Sequence, residues 1–131
     1  MVRGGWPVGS NLEETLSQNI VVLVRQESLG QVGPQDREFG LEMFDRFLHT
    51  LESQPAKPQT ICFYTEGVKL TCQGSPAEPG LQLIESMGVR LLICRSCLDY
   101  YGLTAKVAVG QISTMTEIVK TLLAADKLLG V

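Results

Sequence analysis

The stretch with the most chemical content is Cys94-Arg-Ser-Cys97, which directly follows an apolar run, Val89-Arg-Leu-Leu-Ile-Cys94. Taken as a strand leading into a helix, this places Cys94 at the strand's end and Cys97 at the helix start. A thiol there faces unpaired backbone N–H groups and the positive end of the helix dipole, both of which stabilise a thiolate. Cys97 is therefore the candidate nucleophile and Cys94 the candidate resolving thiol. Arg95, Ser96 and Asp99 are the candidates for stabilising the anion or substrate. Arg95 does so by its charge when its side chain turns toward the sulfur. Asp99 is placed to accept N–H groups of the first helical turn and is given no proton-transfer role.

The same residues admit other chemistry. In a thioredoxin-type dithiol both cysteines usually belong to the helix start and the first one attacks, whereas here the first still belongs to the strand. Zinc would need a second pair, yet Cys62 and Cys72 do not form a second Cys-x-x-Cys knuckle and Cys62 reads as a mid-strand residue. No metal is expected. In the plainest alternative Cys94 is a buried strand residue and Cys97 an inert cap. Gly30-Gln-Val-Gly33 lacks both the lysine of a P-loop and the third glycine of a dinucleotide fingerprint, so no flavin or nucleotide cofactor is expected. His49 falls late in a helical segment and reads as a helix-end or surface residue. Tyr100 and Tyr101 read as core or subunit contacts.

The elements that must position these residues follow from hydrophobic periodicity. Ile20–Val24 is apolar on both faces, as a strand of a parallel sheet covered by helices is, and Thr60–Tyr64 and Val89–Cys94 read as a second and third strand. Val107–Val109 is expected as a short fourth strand. Helical spacing runs from Asp36 through Phe39, Met43, Phe44, Phe47, Leu48 and Leu51. It recurs at Leu81, Ile84 and Met87, with Gly88 as the C′ residue. Cys97 to Tyr101 forms one or two turns stopped at Gly102. Thr114-Met-Thr-Glu117 matches a capping box, opening a helix with Met115, Ile118, Val119, Leu122 and Leu123 on its buried face. The path of residues 66–75 stays open. Strands alternating with helices predict an α/β fold, a three-layer α/β/α sandwich around an open, mainly parallel sheet. Its functional crevice lies at the carboxyl ends of the strands, here Arg25 to Gly33, Thr65 to Ser75, Cys94 to Leu98 and Gly110 to Thr114.

Composition narrows the classes. The 131 residues make one domain, expected as a flexible leader over 1–18 and a single unit over 19–131. With 44% apolar and 19% charged residues the chain can build a core, and a net charge of −3 offers no basic field for nucleic acid. The run Ile20–Val24 is too short to span a bilayer, and residues 1–10 contain no secretory apolar region. A cytoplasmic setting is expected, where paired cysteines are more often catalytic, redox-active or metal-binding than crosslinked.

Cys94-Arg-Ser-Cys-Leu-Asp-Tyr-Tyr-Gly-Leu103, then Val107–Gly110 and Ile112–Val119, resembles the DsrE-like sulfur-relay family, closest to the C-terminal domain of YedF-like proteins. Phe63–Pro76 and the Ser28-Leu-Gly30 loop fit the same group, and the likeness runs over about residues 19–125. The resemblance implies a flavodoxin-like sandwich, homo-oligomers, and a cysteine that carries persulfide sulfur. Matched by motif, that cysteine is Cys97 with Cys94 beside it, and no cofactor is needed. It also implies an association with selenium metabolism. Donor and acceptor proteins are the expected partners, including a TusA-like protein, because the leader is too short for the TusA-like domain that often precedes this one. Arg95-Ser96 stands where the family more usually has Gly-Thr or Gly-Ser. The competing class is a non-enzymatic oligomeric interaction module, or a Cys94/Cys97 dithiol redox protein.

Overall fold

The computed structural model describes residues 12–131, together with the backbone of Val2–Arg3 (β1) and Trp6–Pro7 (β2), which pair antiparallel. The leader reading of residues 1–11 otherwise lies outside the described residues. Within the rest of that segment, Leu12–Ser17 form a helix (α1). The chain then runs β3 (Ile20–Val24), α2 (Arg37–Glu52), β4 (Thr60–Phe63), α3 (Glu78–Ser86), β5 (Arg90–Cys94), α4 (Arg95–Tyr101), β6 (Gln111–Ser113), α5 (Met115–Leu123) and β7 (Lys127–Gly130).

The five strands β3–β7 form one sheet in the order β6-β5-β4-β3-β7, and every neighbouring pair is parallel. This is the expected α/β sandwich. The three central strands are buried along their length, apart from Arg90 at the start of β5. That is why they read as nearly unbroken apolar runs. Helices α2 and α3 pack on each other. Right-handed crossovers put them on one face and α5, whose connection runs the other way across the sheet, on the opposite face. There Arg90 Nη2 donates to Thr121 Oγ1 at 3.5 Å. Phe44, Leu48, Phe63, Leu81, Ile84 and Ile118 fill the two interfaces and are 2% exposed or less.

Several expectations need correction. The fourth strand is Gln111–Ser113, not Val107–Val109, and Val107 makes only an isolated antiparallel bridge with Cys72. Gly110 therefore lies at the entrance of β6 rather than its exit. The final strand, β7, went unread because it is an edge strand exposed along its whole length. On α5 only Ile118 and Thr121 are buried, while Met115, Val119 and Leu123 are exposed. Phe39 and Met87 also point outward. Helix α5 packs on β5 through its buried Ile118 and Thr121, and the rest of its apolar stripe is left uncovered. The capping of α5 is as expected, with Glu117 N–H donating to Thr114 Oγ1 at 3.2 Å. In the stretch left open, residues 65–71 form a 3-10 segment, Cys72 bridges to Val107, and a turn follows.

Candidate functional site

The site is built where β5 hands over to α4. Cys94 is both the last residue of β5 and the N-cap of α4, and it is buried. Cys97 is the third residue of the helix and the one cysteine of the four that is not buried; all four are free thiols. Leu98, fully buried, anchors this short helix to the core. Gly102 ends it at φ 68°, a left-handed conformation that a side chain would strain. Leu103 N–H then bonds Leu98 O at 2.8 Å and Gly102 N–H bonds Asp99 O at 3.1 Å, the pattern of a Schellman cap.

The second wall comes from the end of β4. Tyr64 N–H bonds Val24 O, holding the chain against β3. Thr65 follows at φ 47°, the one non-glycine residue of positive φ among the described residues. Its hydroxyl has two backbone acceptors, Arg25 O at 3.0 Å and Tyr64 O at 2.8 Å. Its N–H donates to Cys97 Sγ at 3.0 Å. Gly67 lets this turn sit so low: a Cβ there would lie 2.3 Å from Val24 O. The strained Thr65 is thus over-determined by its surroundings, as such conformations are at functional sites.

Burial pushes the Cys97 thiol above the ordinary cysteine range, and the hydrogen bond and charge of Cys94 push it further the same way. The Thr65 N–H is the one contribution that favours the thiolate. This overturns the expected depression: desolvation of a half-buried sulfur outweighs what the start of a short helix supplies. Arg95 is exposed and does not figure among the groups acting on Cys97. Ser96 is likewise exposed. The Asp99 carboxylate accepts from the Thr104 hydroxyl, so it closes the loop after α4 instead of capping the helix start. Neither Arg95 nor Asp99 is brought to the sulfur.

Of the remaining residues singled out from sequence, His49 is exposed in the last turn of α2, 3.5 Å from Asp45. Tyr100 is 85% exposed, and its ring meets Tyr101 edge-on at 5.2 Å between centroids. Cys62 is fully buried in β4, and burial raises its pKa to about 11 although Arg90 opposes this. Burial also raises that of Cys72. Among the described residues no group of three or more His, Cys, Asp or Glu is placed to hold a metal ion. Nor is any helix among them long and apolar enough to cross a membrane.

One feature was missed in sequence: the Thr65 N–H on Cys97, a contact between residues 32 positions apart. The nearest local signal is Gly67, which marks a close backbone approach. The crevice expected at the strand ends takes the form of a pair of clefts. The smaller, about 210 Å3, is lined by the Gln26–Pro34 loop. The larger, about 510 Å3, is lined by Lys69, Cys72, Gln73–Pro76, Tyr101 and Leu103. The Glu27–Arg37 ion pair, 2.9 Å long, borders both.

Solved structures share this fold. The ychN protein from E. coli superposes with a TM-score of 0.65 at 21% identity, covering 87% of this chain and 99% of its own. MTH1491 from Methanobacterium thermoautotrophicum, a protein of unknown function, gives 0.62 at 15% identity over 86% of this chain and 97% of its own. BT1422 from Bacteroides thetaiotaomicron, also of unknown function, gives 0.61 at 13% over 86% and 95%. No curated protein matches the sequence. The model of the DsrE/DsrF-like family matches residues 43–131, the span that carries Thr65, Cys94, Cys97 and the strands β4 to β7, and the chain belongs to that family.

Proposed function

We propose that this protein carries sulfur as a persulfide on Cys97. The observation that carries the reading is the half-buried Cys97 Sγ at the carboxyl end of the sheet, with the Thr65 N–H aimed at it at 3.0 Å. A hydrogen-bond donor fixed on a sulfur stabilises negative charge as it develops there. Membership of a family associated with sulfur relay supports the same reading. In the cycle, Cys97–S⁻ attacks the outer sulfur of a donor persulfide R–S–SH. The donor S–S bond breaks, Cys97–S–SH forms and R–S⁻ leaves. An acceptor thiolate then takes the outer sulfur and returns Cys97–S⁻. No metal or organic cofactor takes part. The partners are donor and acceptor proteins, a TusA-like protein among them, in a reducing cytoplasm, with the chain as a homo-oligomer. The YedF-like motif extends the proposal to selenium.

One further observation favours a second use of the pair. Cys94 lies close enough to Cys97 to act on its thiol, raising its pKa. Cys94–S⁻ can attack Cys97 Sγ of the persulfide, forming the Cys94–Cys97 disulfide and releasing HS⁻, which clears a stalled carrier. The test is the intact mass of reduced protein after brief exposure to polysulfide, beside Cys97→Ser and Cys94→Ser. A gain of about 32 Da per sulfur, reversed by reductant and absent in Cys97→Ser, is expected. Equal loading of Cys97→Ser refutes the proposal. A loss of about 2 Da with no sulfur intermediate in either wild type or Cys94→Ser favours a plain dithiol instead.

A further inference from the structure

The larger cleft, about 510 Å3, falls in the size range of small-molecule sites and opens between α4 and the 3-10 segment. Tyr101 on its wall stands one turn beyond Cys97, so the two share a face of α4. Across from it is Lys69, four residues past Thr65 and over the Tyr101 ring at 4.4 Å from its centroid. Cys97 lies one helical turn before Tyr101 and Thr65 four residues before Lys69, so both stand beside the wall of the cleft without lining it. Burial holds the Tyr101 phenol above its usual range, and the charges of Glu66, Cys97 and Glu27 add to this, so the ionisable groups of the site converge there. The floor is rigid. Cys72 bridges to Val107, Gln73 N–H bonds Lys106 O and Ala108 N–H bonds Thr71 O, both at 2.9 Å.

The lining selects a kind of ligand. The N–H groups of the loop are spent within the chain: Gln73 on Lys106 O, Gly74 on Glu78 Oε1, Ser75 on Cys72 O and Ala77 on Ser75 Oγ. No amide nest is left for a phosphate. Recognition falls to side chains: the Arg37–Glu27 pair at 2.9 Å, and Lys69, whose partner Glu66 at 3.8 Å lines the neighbouring smaller cleft. A ligand bearing both carboxylate and ammonium engages such pairs without stranding either partner, whereas a purely anionic one competes with the two glutamates. Between them Pro76, Leu103 and the thiol of Cys72 offer a surface for methylene groups and sulfur.

We propose that this cleft binds a zwitterionic amino-acid or peptide thiol and presents its sulfur to Cys97. The inference rests on Cys97 as the persulfide carrier and adds the class of small molecule that loads or unloads it, by the exchange written above. The probe is S-methylglutathione, which has the charges and the sulfur but transfers none. Calorimetric titration into wild type and Cys97→Ser is expected to saturate alike. Leu103→Trp, which fills the cleft, and Lys69→Glu, which breaks one charge pair, are expected to weaken binding about tenfold or more. S-methylcysteamine, with the ammonium alone, is expected to bind similarly weakly. No saturation in wild type, or unchanged affinity in Lys69→Glu and in any folded Leu103→Trp, overturns the proposal. Polysulfide loading of Cys97 without S-methylglutathione binding refutes the cleft alone. Binding without loading refutes the carrier reading alone.

Discussion

Cys94→Ala tests the electrostatics of the site most directly. Cys94 opposes the Cys97 thiolate twice, by its hydrogen bond and by its charge, while burial of Cys97 and the Thr65 N–H remain when it is removed. The Cys97 pKa must therefore fall. For every unit it falls, the thiolate fraction below both midpoints rises tenfold. Each thiolate becomes about threefold less nucleophilic, since reactivity follows basicity with a slope of about 0.4–0.5. The net gain is about threefold per unit. At pH values above both midpoints only the loss of nucleophilicity remains, so the variant becomes the slower of the two. The assay is the rate of iodoacetamide alkylation of Cys97 against pH, site-resolved by mass. The two curves are expected to cross, with the variant faster at neutral pH and slower at alkaline pH. Cys94 is 1% exposed, so deleting its sulfur also costs on the order of 1 kcal/mol in stability, small enough to leave the fold intact. A variant that is slower at neutral pH, or whose midpoint moves up, refutes the argument that Cys94 holds the thiol protonated.

Other consequences follow from individual contacts. Gly67→Ala places a Cβ 2.3 Å from Val24 O, backbone against backbone, and should cost about 1–3 kcal/mol in urea unfolding while slowing Cys97 chemistry by lifting the Thr65 N–H. An Ala variant of wild-type stability would mean that the turn is not pinned to β3. Thr114→Ala removes the side-chain cap of α5 and should cost about 1 kcal/mol, with Thr114→Ser close to neutral. Cys62 gives a pH effect. Its folded pKa of about 11 lies above the unfolded value, so its contribution is complete below the ordinary cysteine range and declines as pH rises toward 11. The loss amounts to about 2–3 kcal/mol. Cys62→Val should flatten that alkaline decline in stability measured against pH.

Legibility differed by element for physical reasons. The strands β3, β4 and β5 are buried along almost their whole length, so each is apolar nearly throughout and announces itself. The caps at Thr114 and Gly102 are local, each satisfied within a few residues. The edge strands β6 and β7 are part exposed and need no such pattern, which is why one was misplaced and the other missed. On α5 the apolar spacing was real, yet Met115, Val119 and Leu123 face outward, because periodicity names a stripe without saying what lies beneath it.

The site divides along the same line. The order of strands and helices, the position of Cys94 and Cys97 at a strand-to-helix junction, and the family motif are all properties of contiguous residues. The sequence alone therefore determined them. Which groups meet the sulfur depends on segments far apart in the chain, and so the tertiary structure decided it. Thr65, from the neighbouring strand end, reaches Cys97 because β4 lies beside β5. Arg95, two residues from the thiol in sequence, points into solvent, and Asp99 turns to Thr104. The direction of the Cys97 pKa was decided there as well, since desolvation is set by everything packed around the sulfur.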